Sequence, residues 1–128
     1  MNLIPVKTAD LTGAALDWAV ADCEGYTNAR FHREPPLDGG WIMDPPRKEY
    51  GPVLLGDLAF SADWSQGGPI IEREFLDVWH NGFEWVSRLR RQSEALFRGP
   101  TPLIAAMRCY VASKKGDTVM VPAELVES

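Results

Sequence analysis

The stretch GPTPLIAAMRCYVASKKGD, residues 99–117, constrains this chain more than any other, because nearly every local rule agrees on one short helix with both ends marked. Thr101 can cap it through its hydroxyl, Pro102 suits the first turn, where a missing N–H costs nothing, and Gly116 after Lys114 and Lys115 provides the exit. Leu103, Met107 and Tyr110 make one apolar row, and Ile104 and Val111 flank Arg108 on the next. A helix this apolar has to be packed on several sides. An arginine inside it needs a carboxylate or carbonyl partner, and Glu72 or Glu74 is the expected one.

The 128 residues suffice for one domain with a real core, without disulfide or metal staples. A net charge of −5 and a pI near 5.0 argue against a duplex-DNA binder, which needs a basic face to displace counterions. Arg88, Arg90 and Arg91 form the one basic cluster and read as the solvated side of a strand. Cys23 and Cys109 fall in helical segments as small apolar packers, and with His32 and His80 they show no zinc spacing, so no metal or other cofactor is expected. The start, MNLIPVKTADL, has no signal-peptide layout, and no apolar run could span a bilayer. The expectation is a soluble cytoplasmic protein without a membrane partner, leaving room for a homo-oligomer.

Residues 3–7 read as a strand, and Thr8 or Thr12 can cap a helix that runs to about Glu24 and stops at Gly25. Leu11, Ala15 and Trp18 share one face and Leu16, Val20 and Cys23 another, so this helix too lies between other elements, with Asp10, Asp17 and Asp22 at its wet edge. Residues 26–69 are broken by prolines and glycines, as in PPLDGG and DPPR, and read mainly as loop. Within them, residues 53–55 and 58–60 could add short strands. Residues 119–121, followed by Pro122, supply a last strand able to cover a sheet edge.

Residues 69–91 carry the clearest β signal. Asn81-Gly82 is the preferred pair for a two-residue turn, and both flanks are rich in aromatic and branched residues. That turn pairs His80 with Phe83, Val78 with Trp85, Leu76 with Ser87, Glu74 with Leu89 and Glu72 with Arg91. A helix through Leu76, Trp79, Phe83 and Val86 competes, weakened by the Asn-Gly at its centre. The fold class that follows is α+β: an antiparallel sheet built on this hairpin, packed against an N-terminal and a C-terminal helix.

Three blocks, TADLTGAALDWAVADCEG at 8–25, DWSQGGPIIERE at 63–74 and GPTPLIAAMRCYVASKKGDTVMVPAEL at 99–125, together resemble the NinX-like proteins, a family of small proteins encoded by tailed phages and prophages. They cover somewhat under half of the chain, and residues 26–56 add no motif of the family. The resemblance implies a phage accessory protein acting in the cytoplasm of its bacterial host, and it carries no assigned reaction.

Catalytic machinery is not legible. There is no G-x-S-x-G elbow, no P-loop and no dinucleotide fingerprint, so no catalytic residue is named and a non-enzymatic protein is expected. Residues 63–74 instead read as a loop leading into a strand, suited to binding. Gly67 and Gly68 let backbone N–H groups approach a ligand, Trp64 offers a stacking surface, and Asp63, Gln66 and Arg73 offer polar readout. Thr101, at a helix N-terminus, and Arg108 complete the set. The leading expectation is binding of a small anionic or nucleotide-like ligand, sequestering a host defence signal. The alternative is a protein-interaction module that meets host or phage replication and recombination proteins through residues 26–69 and exposed tryptophans, with Trp41, Trp64 and Trp79 available. A third reading, a metal-dependent hydrolase, would use Asp63, Glu72 and Glu74, the two glutamates sharing one face of a strand.

Overall fold

The computed structural model describes residues 2–32, 40–89 and 95–126. Its centre is helix α3, Pro102–Lys115, in which Leu103, Ala105, Ala106, Met107, Cys109, Tyr110 and Val111 are all buried. The ends fall where local chemistry sets them. Thr101 Oγ1 accepts the Ile104 N–H at 3.1 Å, Pro102 opens the helix, and Gly116 leaves it at φ 86°. Removing the cap, as in Thr101→Ala, is expected to cost about 1 kcal/mol, read as a fall in the urea midpoint at unchanged slope.

The N-terminal helix α1 (Gly13–Cys23) and the helix α2 (Trp64–Glu74) pack against α3, and three small antiparallel sheets complete an α+β fold. Strand β1 (Leu3–Lys7) pairs with β8 (Thr118–Pro122); β2 (Thr27–His32), β3 (Gly40–Asp44) and β4 (Val53–Leu54) form the second sheet; β5 (Leu76–His80), β6 (Trp85–Leu89) and β7 (Phe97–Gly99) form the third. A last short helix, α4, covers Ala123–Val126. The third sheet rests on α3 so closely that a methyl group on Gly99 would stand 2.9 Å from the Ala105 nitrogen. Thr8, fully buried, donates its hydroxyl to the Gly116 carbonyl at 2.6 Å and ties the start of the chain to the exit of α3.

Several sequence expectations change here. The expected last strand is present and pairs along β1, in a two-stranded ribbon separate from the hairpin sheet. The bonds Thr8 N–H to Asp117 O and Ala123 N–H to Asn2 O fix the alternation in this ribbon. They place the backbone groups of Pro5 and Pro122 on its two free edges, where the missing N–H would have faced outward and invited another strand. The stretch expected to be mainly loop contains the β2–β3 pair, with Ile42 and Met43 buried side by side. Asp17 is not at a wet edge: its Oδ1 accepts the Ser61 N–H at 2.9 Å, and burial raises its carboxyl against that bond.

The hairpin is present, but its loop has four residues, 81–84, and its first strand begins at Leu76. Asn81 Oδ1 accepts the N–H groups of both Phe83 and Glu84 at 2.9 Å, so the asparagine side chain builds a wider turn than the two-residue one its Asn-Gly pair suggests. Partners therefore move by two: Val78 faces Ser87 and His80 faces Trp85, which leaves each side chain on its expected face. Arg88 does lie on an exposed strand position; Arg90 and Arg91, and with them the expected Glu72–Arg91 pair, fall outside the described residues.

Candidate functional site

Residues 63–74 are not a loop leading into a strand. They form α2, started by Asp63, whose Oδ1 accepts from both Ser65 N–H (2.9 Å) and Ser65 Oγ (2.7 Å). The Ser65 side chain, the Ser65 N–H and the Gln66 amide hold the Asp63 carboxyl below its ordinary range. Gln66 spends its amide on the same structure: Oε1 accepts from Ala59 N–H at 3.0 Å, and Nε2 donates to Asp57 O and Asp63 Oδ2, both at 3.2 Å. Gly67 is buried against Phe60 and Leu103, so its bare backbone serves helix packing. Gly68 lies under the Trp64 ring. Trp64 itself points outward, 56% exposed, and of the five tryptophans it alone is among the exposed large hydrophobics. Trp41 meets Phe31 edge-on, and Trp79 lies under Arg88.

Arg73 lies near the other end of α2. Nine residues of helical rise separate it from Trp64, about 14 Å. It grips Glu24 with both terminal guanidinium nitrogens (Nη1 to Oε1 3.0 Å, Nη2 to Oε2 2.6 Å), donates Nε–H to Glu74 Oε2 at 2.9 Å, and reaches Tyr110 OH through Nη2 at 3.2 Å. Tyr110 OH donates to Glu24 Oε2 at 2.5 Å, and Lys114 Nζ pairs with Glu74 Oε1 at 3.2 Å. Burial pushes the Glu24 carboxyl up, but the bonds from Arg73 and Tyr110 outweigh it and leave the group below its ordinary value. Glu74 is lowered by Arg73 first, then Lys114. The Tyr110 phenol is raised, by burial and by its bond to Glu24.

The expected Arg108–glutamate pairing is replaced by two carbonyls: Nε donates to Leu11 O at 2.7 Å and Nη1 to Arg98 O at 2.6 Å. Burial lowers this guanidinium, with Asp10 opposing. Because Glu72 and Glu74 sit on a helix, two residues apart, they point to different sides of it, and Asp63 lies about 14 Å from Glu72 along the axis. The three carboxylates of the hydrolase reading do not converge. Among the described residues no group of three or more His, Cys, Asp and Glu side chains could hold a metal.

The eight sequence-selected residues thus separate into a capped start of α2 with an outward indole, the Arg73 network, and two separate places on α3, the Thr101 cap and the mid-helix Arg108. Sequence reasoning missed Glu24, Tyr110 and Lys114. The signal was available in the three resembling blocks, since each contributes to this one network: Glu24 from the first, Arg73 and Glu74 from the second, Tyr110 and Lys114 from the third.

Fold and site together define a small α+β protein organised around one buried helix. The family model described as Bacteriophage P22, NinX matches residues 7–114, and the chain belongs to this phage family. No curated protein matches it. Among the described residues no helix is long and apolar enough to cross a membrane.

Proposed function

We propose that this phage protein acts without catalysis, as a binding module for a protein of its host or of its own phage, with the Trp64 indole as anchor. The observation that carries this reading is the exposure of that one ring on a turn whose other groups are already engaged: Asp63 caps, Gln66 braces, Gly67 packs. A large ring with only two side-chain torsions loses little freedom on binding, which is why tryptophan so often anchors interfaces. The ionised Asp63 carboxylate already stands at the positive end of α2, where a small anion would have to sit, so the local charge favours a basic or neutral partner segment.

Trp64→Ala is expected to abolish recovery of a discrete partner from infected cells while shifting unfolding free energy by less than about 0.5 kcal/mol. Recovery unchanged by the substitution would remove the proposal. Calorimetry against cyclic and linear nucleotides supplies the opposing test: Trp64-dependent heat there would favour a small ligand instead.

A further inference from the structure

Asn81-Gly82 stands at the tip of the β5–β6 hairpin, and the fold gathers around it the parts of an intramolecular acyl transfer. The Gly82 N–H donates to His80 Nδ1 at 3.1 Å, so the imidazole turns its unprotonated nitrogen to the proton of that amide. The Asn81 side-chain carbonyl receives two N–H groups, from Phe83 and Glu84, each at 2.9 Å. Two donors on one oxygen polarise the carbonyl and already stand where negative charge gathers when a nucleophile adds to its carbon. Gly82, at φ 101°, leaves the attacking nitrogen without a side chain to crowd it. The imidazole is itself held edge-on to the Trp85 ring, 5.1 Å between centroids. His80, Asn81, Gly82 and Phe83 are all exposed, so water reaches the turn.

We infer that Asn81-Gly82 is a site of self-modification, where the turn converts its own asparagine to aspartate and isoaspartate. As the Gly82 nitrogen bonds to Asn81 Cγ, its proton passes to His80 Nδ1 and the C=O electron pair moves onto Oδ1, under the Phe83 and Glu84 N–H groups. The pair then returns to re-form the carbonyl, the bond from Cγ to the carboxamide nitrogen breaks, and the imidazolium gives its proton to that nitrogen. Ammonia leaves and a cyclic imide remains. One water opens the imide at either carbonyl, and nothing is oxidised or reduced. The product carries one more negative charge than the −5 of the chain, and isoaspartate adds a methylene to the main chain inside the turn. The tip that presents Phe83, 93% exposed, thus changes with the age of the protein. The inference stands independently of the Trp64 reading.

Mass spectrometry of the 74–88 tryptic peptide, from protein held at neutral pH for increasing times, tests it. Asn81 is expected to deamidate in the folded chain at least about tenfold faster than in the same chain unfolded in urea, which keeps the Asn-Gly sequence but loses the placement of His80 and of the two N–H groups. His80→Gln keeps an acceptor for the Gly82 N–H and removes the base; it is expected to bring the folded rate down to the unfolded one and to change nothing in urea. Asn2-Leu3 and Asn28-Ala29 supply internal clocks whose rates should not respond to His80. A folded rate at or below the urea rate would mean that the turn protects its asparagine, and a folded His80→Gln as fast as wild type would remove the base; either result overturns the inference.

Discussion

Gly67→Ala is expected to destabilise the protein by about 2–3 kcal/mol, although helix propensity alone would make the same change favourable by about 1 kcal/mol. The added methyl group would lie 2.3 Å from the Phe60 carbonyl oxygen and 2.7 Å from Leu103 Cδ2. Leu103 can turn its branch end, at the cost of disturbing a residue that is 2% exposed; the Phe60 carbonyl is backbone and cannot step aside without moving the turn that precedes α2. The adjacent glycine supplies the control. A methyl on Gly68 would meet only Trp64 Cε3, at 3.7 Å, an ordinary contact, so Gly68→Ala is expected to gain up to about 1 kcal/mol. Two neighbouring glycines, one substitution and opposite signs in urea unfolding would show that the diglycine is a packing device at its first position and replaceable at its second. Equal effects at both would mean that α2 does not approach the 60–63 turn as described.

That pair also explains what could be read from the sequence and what could not. Helices α1 and α3 are legible because their signals are local: a closing glycine and apolar residues at helical spacing, with a bonded Thr101 cap on α3, whereas at α1 Thr12 holds the N-cap position without a side-chain bond and Thr8 turns its hydroxyl to Gly116. In α2 the local signals point the wrong way, since Gly67, Gly68 and Pro69 all disfavour a helix interior. The deciding term is tertiary. Asp63 caps the start, Ile70 is buried at 2% exposure, and Gly67 permits an approach to α3 that no side chain would. Reading residues 63–74 as a loop leading into a strand carries Glu72 and Glu74 with it and offers Arg108 a partner that its neighbours Leu11 and Arg98 supply instead. The requirement for an acceptor holds; its location depends on an element whose type is decided by tertiary contacts. The β2–β3 pair was hidden for a related reason. In TNARFH the alternation is short, Ala29 and Phe31 against Arg30 and His32, and its pairing shifts register between Thr27 and Arg30, while Ile42 and Met43 are buried consecutively, which breaks the two-residue period of a half-exposed strand. The hairpin survived a wrong turn length because a slip of two residues conserves the face of every side chain.

Arg73→Met is expected to lower stability by about 2 kcal/mol at neutral pH and to weaken the acid dependence of unfolding. The magnitude lies between two limits. Breaking a fully buried pair costs roughly 3–5 kcal/mol and an exposed one under about 1 kcal/mol; Arg73 is half exposed, but the Glu24 side chain it clamps is only 18% exposed. The pH dependence follows from direction. Glu24 and Glu74 are both held below the ordinary glutamate value of 4.5, so the unfolded chain takes up their protons first as acid is added. Their contribution is complete above that value and is lost as pH falls through the lower values of the folded state. Asp17 works against this, because its carboxyl is raised by burial and its protonation favours the folded form. Wild type should therefore lose stability steeply below about pH 4.5, whereas Arg73→Met, with both glutamates returned toward ordinary values, should show a shallower decline from a lower plateau. Glu24→Gln should reproduce part of that change, and the double variant should cost less than the two single substitutions added together, because both remove the same clamp. Strict additivity, with an acid limb identical to that of wild type, would mean that this junction of α1, α2 and α3 is held by packing around Tyr110 alone.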